Sequence, residues 1–199
     1  MWQIILIASA CALILPALGG CASQTMERAG VITGRGKPLT LLGQTPPVGQ
    51  PAPAFTAVAN DMTDYQFDPK AGQVFILSAV PSLDTQVCST ETRRFNQEAA
   101  DLGKDIHILT ISMDLPFAQK RWCGAEGIER VKTLSDYRTH SFAQMYGVHI
   151  KENGLLGRAV FVVDRRGQIV YEQIVPELTQ EPYYAPALAA ARAAAQADR

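Results

Sequence analysis

Apolar residues in this chain fall into short runs that alternate with stretches of helical character. Two uninterrupted apolar runs, Val74 to Val80 and Ile106 to Ile111, have the length and composition of buried strands. Each run is followed by a predicted helix, Gln86 to Leu102 after the first and Phe117 to Cys123 after the second. Two buried strands joined by a helix favour parallel neighbours with a right-handed crossover.

The second half of the chain predicts a further strand, a short helix, a hairpin and a closing helix. These segments are Val131 to Leu134, Ser141 to Tyr146, Ala159 to Val163, Ile169 to Val175 and Pro182 to Gln196. The turn Asp164 to Gly167 separates the two later apolar runs, which should therefore pair antiparallel. The closing segment is rich in alanine, which favours a helix on propensity alone.

Two features precede the first apolar strand of the domain. Val31 to Leu42 contains two short strand-like stretches around Gly34 to Lys37 and predicts a β-hairpin. The Pro-rich stretch Pro46 to Pro53, which ends at Phe55, predicts a fixed connector. The predicted fold class is therefore α/β: a thioredoxin-like mixed sheet flanked by helices, with an N-terminal β-hairpin.

The N-terminus has the shape of a signal peptide. Ile4 to Leu15 is almost wholly apolar, yet it is shorter than the roughly 20 residues that a membrane-spanning helix needs. Leu18-Gly19-Gly20-Cys21 follows and resembles a bacterial lipobox, although the first three residues lack Lys and Arg. We expect a signal peptide at 1–20, lipidation of Cys21, a tether over 21–30 and one domain over 31–199. The resemblance implies an exported lipoprotein on the periplasmic side of a membrane.

Composition and charge narrow the function further. The 199 residues are 47% apolar and 19% charged with a net charge of −1, which is typical of one globular domain and does not suggest a nucleic-acid partner. The three histidines, His107, His140 and His149, are scattered in sequence, so no metal site is predicted. Glycine-rich phosphate and dinucleotide motifs are missing as well, so no cofactor is predicted.

Cys88 is the candidate nucleophile. It follows the first strand through the turn Pro81 to Thr85, so with Thr85 as N-cap it lies in the first turn of a helix. Unpaired backbone N–H groups in that turn face any anion that forms and favour a thiolate, the nucleophilic form of cysteine. The Thr85 hydroxyl lies in the same turn and can donate a hydrogen bond to a bound substrate. The alternative is a buried structural cysteine, because Cys88 shares its helical face with Thr92, Phe95, Ala99 and Leu102.

Two segments resemble a known family. Pro81 to Cys88 reads P-S-L-D-T-Q-V-C and resembles the peroxiredoxin motif, in which the proline shields the sulfur and the threonine and cysteine build the peroxide site. Ser112 to Gly127 reads S-M-D-L-P-F-A-Q-K-R-W-C-G-A-E-G and is similar to the thiol peroxidase subfamily of the peroxiredoxins, including its second cysteine at Cys123. By the same resemblance, Arg158 in G-R-A-V-F-V-V-D corresponds to an arginine that stabilises the thiolate and the peroxide.

The resemblance implies an antioxidant enzyme that reduces hydrogen peroxide and organic hydroperoxides. Cys88 would become a sulfenic acid, Cys123 would resolve it as a disulfide within one subunit, and a thioredoxin or thioredoxin-like protein would reduce that redox-active bond. A homodimer is also implied. Bridging requires Cα atoms within about 7 Å, whereas neighbouring helices pack about 8–10 Å apart, so we expect local unwinding.

Other functions remain open at this stage. An exported protein with two cysteines can carry a purely structural bridge between Cys88 and Cys123. A tethered copper-delivery module of thioredoxin fold would need paired cysteines a few residues apart together with a histidine. A disulfide oxidoreductase would need Cys-x-x-Cys, but the sequence after Cys88 is Ser89-Thr90-Glu91.

Overall fold

The computed structural model describes residues 26–197, which form ten strands and four α-helices. The strands are β1 (Glu27–Gly34), β2 (Lys37–Leu42), β3 (Phe55–Ala59), β4 (Asp64–Phe67), β5 (Val74–Ala79), β6 (Ile106–Ser112), β7 (Val131–Ser135), β8 (His149–Ile150), β9 (Ala159–Val163) and β10 (Ile169–Ile174). The helices are α1 (Gln86–Glu98), α2 (Pro116–Glu126), α3 (Ser141–Met145) and α4 (Tyr184–Gln196), and a 3-10 turn (Ala99–Asp101) extends α1. Every strand and helix predicted from the pattern is present, within a few residues of its expected bounds.

Seven strands form a mixed central sheet in the order β10-β9-β5-β6-β7-β3-β4. The pairs β5–β6 and β6–β7 are parallel, as expected for apolar strands joined by helices. Strand β9 pairs antiparallel with both β5 and β10, which confirms the predicted hairpin. The predicted α/β class with a thioredoxin-like mixed sheet is therefore confirmed.

Strands β3 and β4 at one edge of this sheet were not predicted. Phe55 was interpreted as the end of the Pro-rich connector, but it opens β3, which pairs with β4 and β7. Strand β4 has only four residues, of which Phe67 alone is buried, so it lacks the continuous apolar run of a central strand. Strand β8 has two residues and is too short to leave any pattern.

Both faces of the central sheet are covered, which explains the unbroken apolar runs. All six residues of β5 are buried. On one face Phe75 and Leu77 join a cluster that includes Phe142 and Tyr146 near α3. On the other face Ile76 joins a cluster formed with α1 and α4.

The N-terminal hairpin forms a second sheet in the order β1-β2-β8. Its small apolar core contains Ile32, Leu41 and Ile150. Strand β1 begins at Glu27, so the predicted tether over 21–30 is wrong for 27–30, and the predicted hairpin starts earlier than Val31. The error has a physical cause: β1 is mostly exposed and interrupted by a bulge between Ala29 and Ile32, so it shows no strand pattern.

The predicted signal peptide at 1–20 and the predicted lipidation site Cys21 lie outside the described residues. Within residues 26–197, no helix is both long enough and apolar enough to cross a membrane.

Candidate active site

Cys88 occupies the predicted position at the start of a helix. Strand β5 ends at Ala79, the turn follows, and α1 begins at Gln86 with Thr85 as its N-cap. Cys88 is the third residue of α1, in the turn whose backbone N–H groups lack helical acceptors. Its side chain is 0% exposed and packs in a small apolar cluster with Val80, Leu83 and Trp122.

Arg158 lies directly against the Cys88 sulfur. It precedes β9, and the first residue of β9 pairs with Ala79 at the end of β5, so the sheet itself brings Arg158 to the turn before Cys88. The Arg158 side chain is 1% exposed, and its Nη2 donates a hydrogen bond to Cys88 Sγ at 3.3 Å. Arg158 is therefore a buried residue and not a surface charge at the start of β9. The guanidinium is complementary to negative charge on the sulfur.

Glu91 is a third member of this group and was not predicted from the sequence. Glu91 lies one helical turn after Cys88, is 0% exposed, and forms an ion pair with Arg158 Nη1. Its other oxygen accepts a hydrogen bond from Ser78 Oγ at 2.7 Å. Its spacing could have revealed that Glu91 is buried, because a residue three positions after Cys88 lies on the same face of the helix, the face that packs on the sheet.

The charges of this pair depend on each other. Burial opposes the charge on Arg158, but Glu91 and Cys88 outweigh that effect and raise the pKa of Arg158. Burial raises the pKa of Glu91, whereas Arg158 and Ser78 act to lower it. A buried charge is tolerated when it is paired and hydrogen-bonded, so we treat the two side chains as an ionised pair.

A backbone carbonyl completes the environment of the guanidinium. Leu178 O accepts hydrogen bonds from Arg158 Nε at 3.2 Å and from Nη2 at 2.8 Å. Arg158 is thus held by Glu91 on one side and by Leu178 on another, and it presents Nη2 to Cys88. This arrangement fixes the planar group before any substrate binds.

Pro81 and Thr85 lie in the turn before Cys88, in different surroundings. Pro81 is buried, whereas Thr85 is exposed. The Thr85 hydroxyl donates to Ser82 O at 2.9 Å and makes no side-chain capping bond to α1. It must rotate away from that carbonyl before it can donate to a peroxide.

Asp114 ties this turn to the start of α2. Its carboxylate accepts hydrogen bonds from Ser82 Oγ at 2.7 Å and from Leu83 N–H at 2.8 Å. Ser112 Oγ also donates to it, at 2.8 Å. The helix that carries the second cysteine is therefore joined to the turn that carries the first.

Cys123 lies on α2 at the edge of a cleft of about 470 Å³. Its side chain is half-buried, with Sγ 3.3 Å from Thr133 Oγ1 and 4.0 Å from Asn60 Nδ2. Burial raises the pKa of the Cys123 thiol, although the hydrogen bonds with Thr133 and Asn60 act in the opposite direction.

Cys88 and Cys123 are both free thiols. Each sulfur is hydrogen-bonded to partners of its own, so a bond between the two requires at least one of them to leave those partners.

The histidines are less scattered in the fold than in the sequence. The rings of His140 and His149 lie 5.1 Å apart, with their planes nearly perpendicular. Among residues 26–197, no group of three or more His, Cys, Asp or Glu side chains is arranged to hold a metal ion.

Comparison with known proteins shows the family. The sequence profile named Redoxin matches residues 47–188. The thiol peroxidase of Bacillus subtilis (strain 168) is 51% identical over 162 residues, which cover 81% of this chain and 96% of that protein. The thiol peroxidase of Oceanobacillus iheyensis is 54% identical over 153 residues, or 77% of this chain and 93% of that one.

A solved structure agrees with these sequence relatives. The crystal structure of a peroxiredoxin-like protein from Aquifex aeolicus superposes with a TM-score of 0.78 at 38% identity. The match covers 82% of this chain and 96% of that one. The chain therefore belongs to the redoxin family and, within it, to the thiol peroxidase group of peroxiredoxins.

Proposed function

We infer that the protein is a thiol-dependent peroxidase that reduces hydrogen peroxide and organic hydroperoxides. The observation that carries this function is the contact between Arg158 Nη2 and Cys88 Sγ at the N-terminus of α1. In the first step, the Cys88 thiolate attacks the terminal oxygen of the peroxide and the O–O bond breaks. The products are a Cys88 sulfenic acid and an alkoxide or hydroxide, which takes up a proton to leave as alcohol or water.

The residues around Cys88 have distinct roles in this step. The Arg158 guanidinium stabilises the thiolate and then the negative charge that develops on the leaving oxygen. The unpaired N–H groups of the first turn of α1 act in the same direction. Buried Pro81 restricts access of water to the sulfur. The Thr85 hydroxyl orients the peroxide after the hydroxyl has broken its hydrogen bond to Ser82 O.

We assign Cys123 as the resolving thiol. Its thiolate attacks the Cys88 sulfenic sulfur, a Cys88–Cys123 disulfide forms within the subunit, and hydroxide leaves as water after protonation. Each sulfur must first leave its own hydrogen-bond partner, Arg158 for Cys88 and Thr133 for Cys123, and we propose that local unwinding of α1 or α2 brings the two together. Cys123 is the more accessible of the two thiols, and the Asp114 hydrogen bonds link the two segments that must move.

A thioredoxin-like dithiol then reduces the disulfide. One donor thiolate attacks the bond, the second displaces the mixed disulfide, and the donor leaves oxidised while both cysteines return to thiols. No other co-reactant is needed for the cycle to balance.

We further propose that the protein is an exported lipoprotein acylated at Cys21 and that it forms a homodimer. The lipobox-like Leu18-Gly19-Gly20-Cys21 supports the first proposal. The second is supported by Leu115 and Phe117, which are 52% and 64% exposed beside Asp114. We expect radioactive palmitate to label wild type and not Cys21→Ser, and an unlabelled wild type or equal labelling of the two would count against lipidation. Phe117→Glu protein that sediments like wild type would count against the homodimer.

The peroxidase proposal is tested with the reduced soluble protein, starting after Cys21, and one equivalent of an organic hydroperoxide. Thiol loss is followed by stopped flow, and the bond is mapped by mass spectrometry. We expect rapid loss of both thiols and a Cys88–Cys123 bond in wild type, no rapid phase in Cys88→Ser, and arrest at the sulfenic acid in Cys123→Ser. Thiol loss at the rate of a free cysteine, unaffected by Cys88→Ser, would refute the proposal.

A further inference from the structure

Glu177 is a hydrogen-bonding centre far from Cys88 in sequence. It lies in the segment that follows β10, and its carboxylate accepts five hydrogen bonds from uncharged donors. The donors are Thr33 Oγ1 at 2.8 Å, Arg35 N at 3.0 Å, Gly36 N at 3.0 Å, Thr179 N at 3.0 Å and Thr179 Oγ1 at 2.8 Å. Five donors are more than the roughly four lone-pair sites of a carboxylate, so neither oxygen is left without a partner.

These donors come from two different parts of the fold. Thr33, Arg35 and Gly36 form the tip of the N-terminal hairpin, whereas Thr179 belongs to the segment after β10. The hydrogen bonds, led by that from Gly36 N–H, hold the pKa of Glu177 well below its usual range. The carboxylate is therefore charged at any pH where the enzyme would be assayed.

Backbone hydrogen bonds join the same two parts of the fold. Thr33 N–H donates to Pro176 O at 2.6 Å, and Leu178 N–H donates to Thr33 O at 2.9 Å. The Leu178 side chain packs against the small core of the hairpin. The hairpin tip and Glu177 thus fix the position of residues 176–178.

This segment carries the carbonyl that holds Arg158. Leu178 O accepts from both Nε and Nη2 of Arg158, and the same Nη2 donates to Cys88 Sγ. The hairpin tip is thus linked to the guanidinium in three steps. Hydrogen bonds join the tip to Glu177, the peptide chain joins Glu177 to Leu178, and hydrogen bonds join the Leu178 carbonyl to Arg158.

We propose that Glu177 is a positioning residue for peroxide reduction, because it holds the Leu178 carbonyl in the place that orients Arg158 toward Cys88. This inference rests on the proposed peroxidase function. Glu177 touches no reacting atom and acts only through Leu178 and Arg158. The N-terminal hairpin thereby becomes part of the support of the active site.

The chain offers a matched control at Glu152. Its carboxylate also binds the hairpin, since Thr40 N–H donates to both of its oxygens at 3.0 Å. Its pKa is likewise lowered by these hydrogen bonds. Strand β2, which contains Thr40, is one strand away from the Thr33–Leu178 contact, and Glu152 has no hydrogen bond to Leu178 or Arg158 among the described residues.

The experiment compares Glu177→Ala, Glu177→Gln and Glu152→Ala in the full-length protein and in the soluble protein starting after Cys21. The second-order rate of Cys88 oxidation by hydrogen peroxide is measured from pH 5 to 9, together with the unfolding midpoint in urea. We expect Glu177→Ala to lower the rate by about tenfold, less than the roughly 100-fold that a 1 Å misplacement can cost. We also expect its rate profile to move to higher pH. Glu177→Gln keeps one acceptor oxygen and should fall between wild type and Glu177→Ala.

Glu152→Ala should lose stability without any change in rate or pH profile. A Glu177→Ala rate and profile equal to those of Glu152→Ala would overturn the inference, because both variants would then only loosen the hairpin. Slow oxidation of the wild-type protein itself, at the rate of a free thiol, would overturn the peroxidase proposal instead. The two failures are therefore distinguishable.

Discussion

Arg158 and Glu91 form an ion pair in which neither side chain reaches solvent, with exposed fractions of 1% and 0%. Arg158 therefore has a structural role as well as the catalytic role proposed for it. Removing one member of such a pair leaves an uncompensated buried charge, which costs about 3–5 kcal/mol, whereas replacing both members is often neutral. The two roles can be separated by changing one member or both.

We expect Arg158→Met to lower the rate of peroxide reduction by about 100-fold to 1,000-fold, the range found when one donor to a developing oxyanion is lost. It should also lower the free energy of unfolding by about 3–5 kcal/mol. The double variant Arg158→Met/Glu91→Gln should regain most of that stability and none of the rate. Stopped-flow peroxide kinetics and urea unfolding measure the two effects, and a double variant with restored rate would contradict the catalytic role.

The resolving step should depend on pH through Cys123. Burial raises the pKa of this thiol, so only a small fraction is thiolate at neutral pH. We expect the rate of disulfide formation from the sulfenic acid to rise almost tenfold per pH unit between about pH 6 and 8. Thr133→Val should slow the step further, because the hydrogen bond with Thr133 lowers the Cys123 pKa.

Rapid quenching and mass spectrometry after a single peroxide pulse would measure this rate, with Cys123→Ser as the control that cannot resolve. Trp122 is the only tryptophan in residues 26–197, and its fluorescence reports rearrangement of α2 in the same samples. A resolution rate that did not vary with pH would mean that unwinding, and not thiolate attack, limits the step.

Asp136 should make stability depend on pH in the weakly acidic range. It is buried and accepts hydrogen bonds from the N–H groups of Phe142 and Ala143 in α3, yet burial raises its pKa to about 6. The folded protein therefore binds this proton more tightly than the unfolded chain. Stability from this group should increase as pH falls from about 7 through 6 toward 4, by up to about 3 kcal/mol.

The comparison that isolates this effect is wild type against Asp136→Asn, with urea unfolding at several pH values. Between about pH 7 and 4, the unfolding free energy of wild type should increase relative to that of Asp136→Asn as the pH falls. The same comparison is repeated with His140→Asn present, because the charge of His140 acts to lower the pKa of Asp136. Asparagine suits this position because His140 has φ of 53°, a conformation that asparagine tolerates. A difference that stayed constant with pH would show that Asp136 does not titrate in this range.

Gly147 should tolerate no side chain. Its φ is +62°, and a Cβ atom there would lie 2.5 Å from the Gln44 carbonyl carbon and 2.8 Å from Thr45 N. Both neighbours are backbone, so the chain itself must shift. Gly154 has φ of +71° with nothing within 4 Å, so Gly154→Ala measures the conformational cost alone, about 1–2 kcal/mol.

We expect Gly147→Ala to destabilise the protein clearly more than Gly154→Ala in urea unfolding. Equal losses in the two variants would show that the backbone at Gln44 and Thr45 moves aside without cost. Arg28 from the hairpin donates a hydrogen bond to Gly147 O, so Gly147→Ala should also loosen the hairpin. Increased proteolysis between β2 and β3 would reveal that loosening.

The parts of the fold that were predictable are those whose burial leaves a pattern in sequence. Strands β5, β6 and β9 are covered on both faces and appear as continuous apolar runs. The first half of β1 and most of β4 are exposed, so their pairing depends on neighbours that no local pattern reveals.

The site shows the same division. The position of Cys88 followed from the strand, the turn and the N-cap, and Arg158 was identified through its motif. Glu91 was not identified, because a glutamate on a helix is usually exposed and its burial here depends on the approach of Arg158 from β9. The Leu178 carbonyl could not be predicted at all, since any residue type supplies a carbonyl and only the tertiary fold decides where it points.

If Cys21 is acylated as proposed, the early start of β1 limits how far the domain could reach from the membrane. Only five residues, 22–26, separate Cys21 from Glu27, and five residues span at most about 18 Å when fully extended. A folded unit of this size has a radius of gyration of about 16 Å, so a chain acylated at Cys21 would stay within roughly its own radius of the lipid headgroups. Its effective concentration would then be set by membrane area and not by compartment volume, and its reductant would have to approach within the same thin layer of water.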